Sequence, residues 1–243
     1  MIEPLLLTCA HITTFRQYAR LTTASGFFFE RGEHLFVVTS RHVLRDVPSH
    51  HFPDRVEIEI HTDAGNMANS VHYSIPLYAE GRRLWRQGND SAGDIDVAVL
   101  EIDRSRLPDN AVYFAFTPAH IDRALEEVEV GTALLIVGFP LGFHDTLHHL
   151  PIARQAINAS SFGLRFQGMG YFLTDARTHC GISGAPVVMK APSNALPGDP
   201  VAWKLLGIHS ARLDVITRDL AVDEKLGLNC AWFADILMTL TQP

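Results

Sequence analysis

The chain has 243 residues, 47% of them hydrophobic and 19% charged, with a formal net charge of −7. That length and apolar content can bury a substantial core. The acidic balance excludes a general phosphate-binding surface, so nucleic acid is not an expected partner; no apolar run reaches the roughly 18–20 residues that span a bilayer, so no membrane contact is expected either.

The N-terminus, Met1 to Leu7, holds an apolar triplet but no basic region and no adequate hydrophobic stretch for a secretory leader. Three cysteines (Cys9, Cys180, Cys230) cannot all pair within one chain, and none has metal-ligand spacing. Reduced thiols in a cytoplasmic protein are therefore expected.

Residues 8–24 alternate loosely and contain several threonines, which predicts an opening strand. Ser25 to Phe29 and Leu35 to Val38 flank a polar, glycine-containing tip and predict a hairpin that delivers His42 at its far end. Val56-Glu57-Ile58-Glu59-Ile60 alternates strictly, so it reads as a half-exposed strand with its carboxylates in water. Ser74 to Tyr78 is a short strand, Gly81 to Gly93 a polar loop carrying Trp85, and Asp96 stands at the start of the strand Val97 to Ile102. Leu107 to Arg123, with Pro108 and Pro118, reads as a connection between two units. Beyond it come predicted strands at Ala133–Val137, Ile152–Ser160, Tyr171–Thr174, Ala185–Met189 and Lys204–Ser210. Leu141 to Leu150 and Ala191 to Pro200 are loops. Ala231 to Thr241 places Trp232, Phe233, Ile236, Leu237 and Leu240 at helical spacing, which predicts a closing amphipathic helix.

The most demanding local design is the stretch Thr174 to Val188, in which Gly181-Ile182-Ser183-Gly184-Ala185-Pro186 precedes an apolar run. A glycine permits a backbone turn that aims consecutive N–H groups at one point, and donors beside a hydroxyl suit an oxyanion. A serine hydroxyl needs a base, and neutral imidazole suits that task. His42, just after the apolar run Leu35–Val38, and Asp96, before Val97-Ala98-Val99-Leu100, supply the remaining members. Asp94 competes with Asp96 and reads as a solvated loop carboxylate. In Gly181-Ile182-Ser183-Gly184-Ala185 the last position is Ala where the α/β-hydrolase elbow requires glycine, which argues against that fold.

The segments Thr39-Ser40-Arg41-His42-Val43, Asp96-Val97-Ala98-Val99-Leu100 and Thr174 to Val187, in that order, resemble the trypsin-like serine peptidases, particularly their bacterial HtrA-like and glutamyl-endopeptidase branches. The similarity extends over roughly residues 20 to 235. It implies an all-β fold of two packed six-stranded antiparallel β-barrels, chymotrypsin-like, with a short C-terminal helix. Residues 1–110 would form the barrel carrying His42 and Asp96, residues 111–128 the connection, and residues 129–243 the barrel carrying Ser183. The resemblance implies an endopeptidase acting on protein or peptide substrates without a cofactor, with Ser183 as nucleophile, His42 as general base and then acid, and Asp96 orienting the imidazole. The N–H groups of Gly181 and Ser183 would form the oxyanion hole.

The segment Leu206-Gly207-Ile208-His209-Ser210-Ala211-Arg212 resembles the pocket-lining strand of glutamyl endopeptidases and of viral proteases that cleave after Gln. By that likeness His209 and Thr178 contact the P1 side chain, Arg177 lies near the pocket base, Ser210 supports Asp96, and Arg212 stands beside the extended substrate. An acidic or amide P1 residue is the expected preference. No zymogen-type N-terminus is evident, so control by loop ordering or by an activating partner protein is implied. Histidines 144, 148 and 149 lack a carboxylate or cysteine at ligand spacing, and no metal is expected. Two other classes compete: a peptidase-like module that binds peptide or partner protein without turnover, and a hydrolase of small esters on the same fold.

Overall fold

The computed structural model describes residues 2–121, 128–192, 197–210 and 227–242. The strands are β1 (Cys9–Arg16), β2 (Ala19–Arg31), β3 (His34–Thr39), β4 (Arg55–His61), β5 (Ser70–Pro76), β6 (Tyr78–Ala79), β7 (Arg82–Arg83), β8 (Trp85–Asp90) and β9 (Gly93–Ile102) in the first half. The second half holds β10 (Ala133–Gly138), β11 (Ile152–Asn158), β12 (Tyr171–Asp175), β13 (Pro186–Lys190), β14 (Trp203–Ser210) and β15 (Leu228–Phe233). Among the described residues there are also two short helices, α1 (Arg41–Leu44) and α2 (Leu237–Leu240), with several 3₁₀ turns. Among the described residues, no helix is long and apolar enough to cross a membrane.

The chain is all-β and closes its second half into a six-stranded antiparallel barrel in the order β10-β11-β12-β15-β14-β13. The first half forms one seven-stranded sheet, β5-β4-β1-β2-β3-β9-β8, where six strands were expected. The additional strand is β8, which lies in the stretch read from sequence as a polar loop. Its pairing with β9 is interrupted by a register shift between Gln87 and Asn89, so its polar residues do not follow a period of two. The opening stretch is likewise two strands, since β1 ends at Arg16 and β2 already begins at Ala19.

The middle of the first sheet is buried on both faces, which is why its strands read as unbroken apolar runs. In β2, Phe27 and Phe29 point into a core shared by the two halves, whereas Phe28 points into the core of the first half. Phe36 and Val38 of β3, and Val97 and Val99 of β9, share that first direction; Leu35, Val37, Ala98 and Leu100 take the second. Tyr171, Leu173, Trp232 and Leu237 meet the shared core from the barrel side. Burying a side chain such as Phe27 fully is worth about 1.5–3 kcal/mol relative to leaving it in water. The interface between the halves is therefore a hydrophobic core rather than a loose contact, and it fixes one half against the other.

Helix α2 is shorter than its pattern predicted. Trp232 and Phe233 belong to β15, paired with β14 and β12, because strand partners are available there for their backbone groups. The helix clasps the first sheet: Arg31 donates to the Met238 carbonyl at 2.7 Å, and Gly88 of β8 sits against Ile236 and Leu240. Glu59 also departs from its sequence reading. Its side chain is 10% exposed and accepts hydrogen bonds from Ser70 Oγ at 2.7 Å and His149 Nδ1 at 2.8 Å.

Candidate active site

β3 and β9 are neighbours with Thr39 opposite Ala98, so β9 carries Asp96 to the start of α1. There the His42 backbone N–H donates to Asp96 Oδ1 at 2.9 Å, and the ring Nδ1 lies 2.7 Å from Oδ2. Ser210, at the end of β14, donates its hydroxyl to the same Oδ2 at 2.8 Å. Asp94, read from sequence as a loop carboxylate, is exposed but lies at the start of β9, paired with Asn89 of β8.

Burial alone would raise the Asp96 carboxyl. The His42 charge, the hydrogen bonds from its ring and backbone, and the Ser210 hydroxyl outweigh that burial and hold the carboxyl below the usual carboxylate range. An ionised acceptor on Nδ1 fixes the imidazole tautomer with Nε2 free to accept a proton.

The nucleophile turn is built from two tight turns, with Ile182 donating to the His179 carbonyl at 3.3 Å and Ala185 to the Ile182 carbonyl at 3.0 Å. Gly181 and Gly184 hold φ of +90° and +86°, the left-handed region that favours glycine. A Cβ on Gly184 would also collide with the Ser25 carbonyl, the Thr39 hydroxyl and the Ser40 N–H. That close approach seats Ser183 beside the turn leading into α1. The turn is further tied by Ser25 N–H to the Ser183 carbonyl at 3.1 Å and by Gly184 N–H to the His209 carbonyl at 2.8 Å.

Among the described residues the N–H groups of Gly181 and Ser183 have no hydrogen-bond partner. The Cys180 carbonyl, which would fill that space if its peptide were reversed, instead accepts from Leu141 N–H at 2.6 Å. Neither Ser183 Oγ nor His42 Nε2 has a hydrogen-bond partner among the described residues. Catalytic hydrogen bonds of this kind commonly tighten only when substrate is bound.

His209 is wholly buried, and among the described residues neither ring nitrogen has a hydrogen-bond partner. Burial, followed by the nearby His42 charge, pushes its ring down to about 3. Thr178 donates to Asn229 Oδ1 at 2.5 Å, and Asn229 in turn donates to the Ala176 and Gly227 carbonyls. Arg177 is exposed, with its carbonyl accepting from Arg154 Nη2 at 2.6 Å. Arg212 lies outside the described residues. Sequence reasoning missed Asn229 and Ser25. The first sits in an ordinary-looking strand and carries no local signal; the second lies within β2, at the start of the run read as a strand, where nothing local marks its hydroxyl.

The loop histidines have carboxylate partners that sequence spacing did not show. His148 Nδ1 meets Asp145 Oδ2 at 2.8 Å, and His149 meets Glu59 from β4. His61 Nε2 donates to the His148 carbonyl at 2.8 Å, so the loop is strapped to the first sheet. Among the described residues, no group of three or more His, Cys, Asp and Glu is arranged to hold a metal ion. No disulfide joins Cys9, Cys180 or Cys230, and burial raises the Cys9 thiol to about 12.

His11 stacks on Phe139 with ring centroids 4.6 Å apart and faces His144 at 5.0 Å. Burial first, and then His144, Arg20 and His72, push His11 down to about 4 against the opposing pull of Glu59. His11 and His209 are thus neutral in the fold at pH values where the unfolded chain binds protons. Stability should fall as pH drops from about 6.5 toward 4, because the unfolded state takes up more protons across that window. Thermal melts between pH 7 and 4.5 should show this slope, and His11→Phe should flatten it. An unchanged slope in that variant would remove His11 from the account.

Comparison with known proteins agrees with this geometry. A family model described as the trypsin-like peptidase domain matches residues 24–192. No curated protein matches the chain in sequence. The fold is similar to that of a serine endoprotease from Yersinia pestis, at 17% identity and a TM-score of 0.55, over 97% of this chain and 62% of that one. It is also similar to the HtrA-type protease AlgW, at 17% identity and a TM-score of 0.56, over 96% of this chain and 58% of that one. The active form of the Rv3671c protease from M. tuberculosis gives 16% identity and a TM-score of 0.51, over 99% and 86% of the two chains. The chain thus spans about three-fifths of the length of the first two.

Proposed function

The chain belongs to the trypsin-like peptidase family, and from that membership we propose that it hydrolyses peptide bonds through an acyl-enzyme. Ser183 Oγ attacks the scissile carbonyl while His42 Nε2 takes its proton, and Asp96 stabilises the imidazolium so formed. The developing oxyanion is held by the N–H groups of Gly181 and Ser183. His42 then returns the proton to the leaving amine, and water attacks the ester by the same route in reverse. The observation that carries this reading is the buried Asp96 with three donors, His42 ring, His42 backbone and Ser210, fixing the imidazole next to a turn whose two N–H groups are unspent.

For the substrate, the likeness of the strand Leu206–Ser210 to the pocket strand of peptidases that cleave after Glu or Gln supports a P1 residue with an acid or amide end, although the His209 ring nitrogens are buried and the Thr178 hydroxyl is donated to Asn229. Exposed Arg177 supplies no buried positive charge for a carboxylate. Gln is therefore the expected first choice, then Glu.

Two measurements test the reading. A fluorophosphonate adduct located by mass spectrometry should sit on Ser183; an unlabelled, folded protein would favour a peptide-binding module without turnover. A peptide library varied at P1 should be cut after Gln or Glu, and strong cleavage after Lys, Arg or Phe would overturn the pocket assignment.

A further inference from the structure

Gly181 is the least constrained residue of the oxyanion turn, yet its N–H must stay aimed at one point. A trans peptide points its N–H and its C=O in opposite directions, so the Gly181 N–H is aimed by the hold on the Cys180 carbonyl, while the Gly181 carbonyl, in the next peptide, fixes the residue from its other side. The carbonyl of Cys180 is held by Leu141 N–H. The carbonyl of Gly181 accepts from Ser25 Oγ at 2.8 Å, across 156 residues of sequence. The same Ser25 oxygen accepts the N–H of buried Phe139 at 2.8 Å, two residues before Leu141. One hydroxyl therefore joins the oxyanion turn to the strand end that supplies the other clamp.

We propose that Ser25 is a positioning residue of the oxyanion hole, its hydroxyl bridging the Gly181 carbonyl and the Phe139 N–H so that the Gly181–Ile182 peptide is fixed and Gly181 keeps the backbone angles that aim its N–H into the hole. This deepens the peptidase reading above and rests on it. The surroundings are shaped for this one side chain. A Cβ on Gly138 would run into Ser25 Oγ, and a Cβ on Gly184 would run into the Ser25 carbonyl. Removal of the hydroxyl leaves a buried N–H and a carbonyl without partners. Glycine reaches both signs of φ, so with the Gly181–Ile182 peptide released Gly181 no longer holds its N–H on one point.

The experiment compares Ser25→Ala, Ser25→Cys and Ser25→Thr with wild type on a peptide substrate. Loss of one oxyanion donor lowers kcat by about 10²–10³. Ser25→Ala, which leaves that donor available part of the time, should lower kcat by about 10–100-fold, with KM within about threefold and the pH profile of kcat/KM unmoved. Ser25→Cys, of similar size with a weak donor, should fall between, and Ser25→Thr, which keeps the hydroxyl, should recover most of the rate. A lowered melting temperature with kcat within twofold of wild type would make Ser25 merely structural and overturn the proposal. Wild type that does not turn over would instead sink the peptidase reading. In that event hydrogen exchange at the Phe139 and Ile182 amides decides on Ser25: selective loss of protection in Ser25→Ala supports the proposal, and unchanged protection overturns it.

Discussion

Ser183→Ala is expected to lower kcat on a peptide substrate by about 10⁶-fold, with His42→Ala costing nearly as much and the double variant little more. The reason is that the two groups perform one act. Without the hydroxyl there is nothing for the imidazole to deprotonate, and without the imidazole the hydroxyl keeps its proton at neutral pH. A residual rate about 10³–10⁴ above water should survive, because the Gly181 and Ser183 N–H groups do not depend on either side chain. The structure makes the comparison clean, since Ser183 Oγ holds no hydrogen bond among the described residues and its removal leaves no orphan. Single-turnover kinetics with melting curves for each variant would check it. Additive losses, or a Ser183→Ala protein within tenfold of wild type, would place the chemistry elsewhere.

Asp96→Asn should lower kcat by about 10⁴-fold while leaving KM and the fold nearly unchanged. A carboxylate can only accept, so it receives the His42 ring N–H, the His42 backbone N–H and the Ser210 hydroxyl together. An amide in that position keeps one accepting oxygen and adds two donors. The backbone N–H claims the oxygen at the Oδ1 position, which puts the amide nitrogen at the Oδ2 position, where one N–H meets His42 Nδ1 and the other the Ser210 oxygen. The imidazole then carries its proton on Nε2, the wrong nitrogen to serve Ser183. A rate profile from pH 6 to 10 on the variant checks this, and the loss should ease at alkaline pH. A loss below tenfold at neutral pH would show that Asp96 does not set the tautomer.

Much of the architecture was legible because a strand buried on both faces leaves an unmistakable trace. Phe27-Phe28-Phe29, Leu35 to Val38 and Val97 to Leu100 read as strands, and each splits its side chains between two cores. Strands whose outer faces are polar were harder. The residues of β8 carry no period of two beyond Trp85, since a register shift and the sheet edge remove the need for it. Trp232 and Phe233 fit a helical stripe equally well, and only the pairing of Trp232 with Tyr171 and Ile208, and of Phe233 with Gly207, made them strand.

The sequence by itself determined the strand-rich pattern, the order of His42, Asp96 and Ser183 along the chain, and the glycines the nucleophile turn requires, and its resemblance to the trypsin-like peptidases implied the barrel. The strands and the glycines follow from local rules: period-two burial, and a backbone conformation that side chains forbid. Only the tertiary structure decided that Glu59 holds His149, that Arg177 faces solvent, that His209 lies buried with both ring nitrogens unpartnered among the described residues, and that Ser25 grips Gly181. Such facts depend on which residues meet across 90 to 156 positions of chain. A hydroxyl or a carboxylate looks the same in sequence whether its partner is water or a backbone group brought to it by folding.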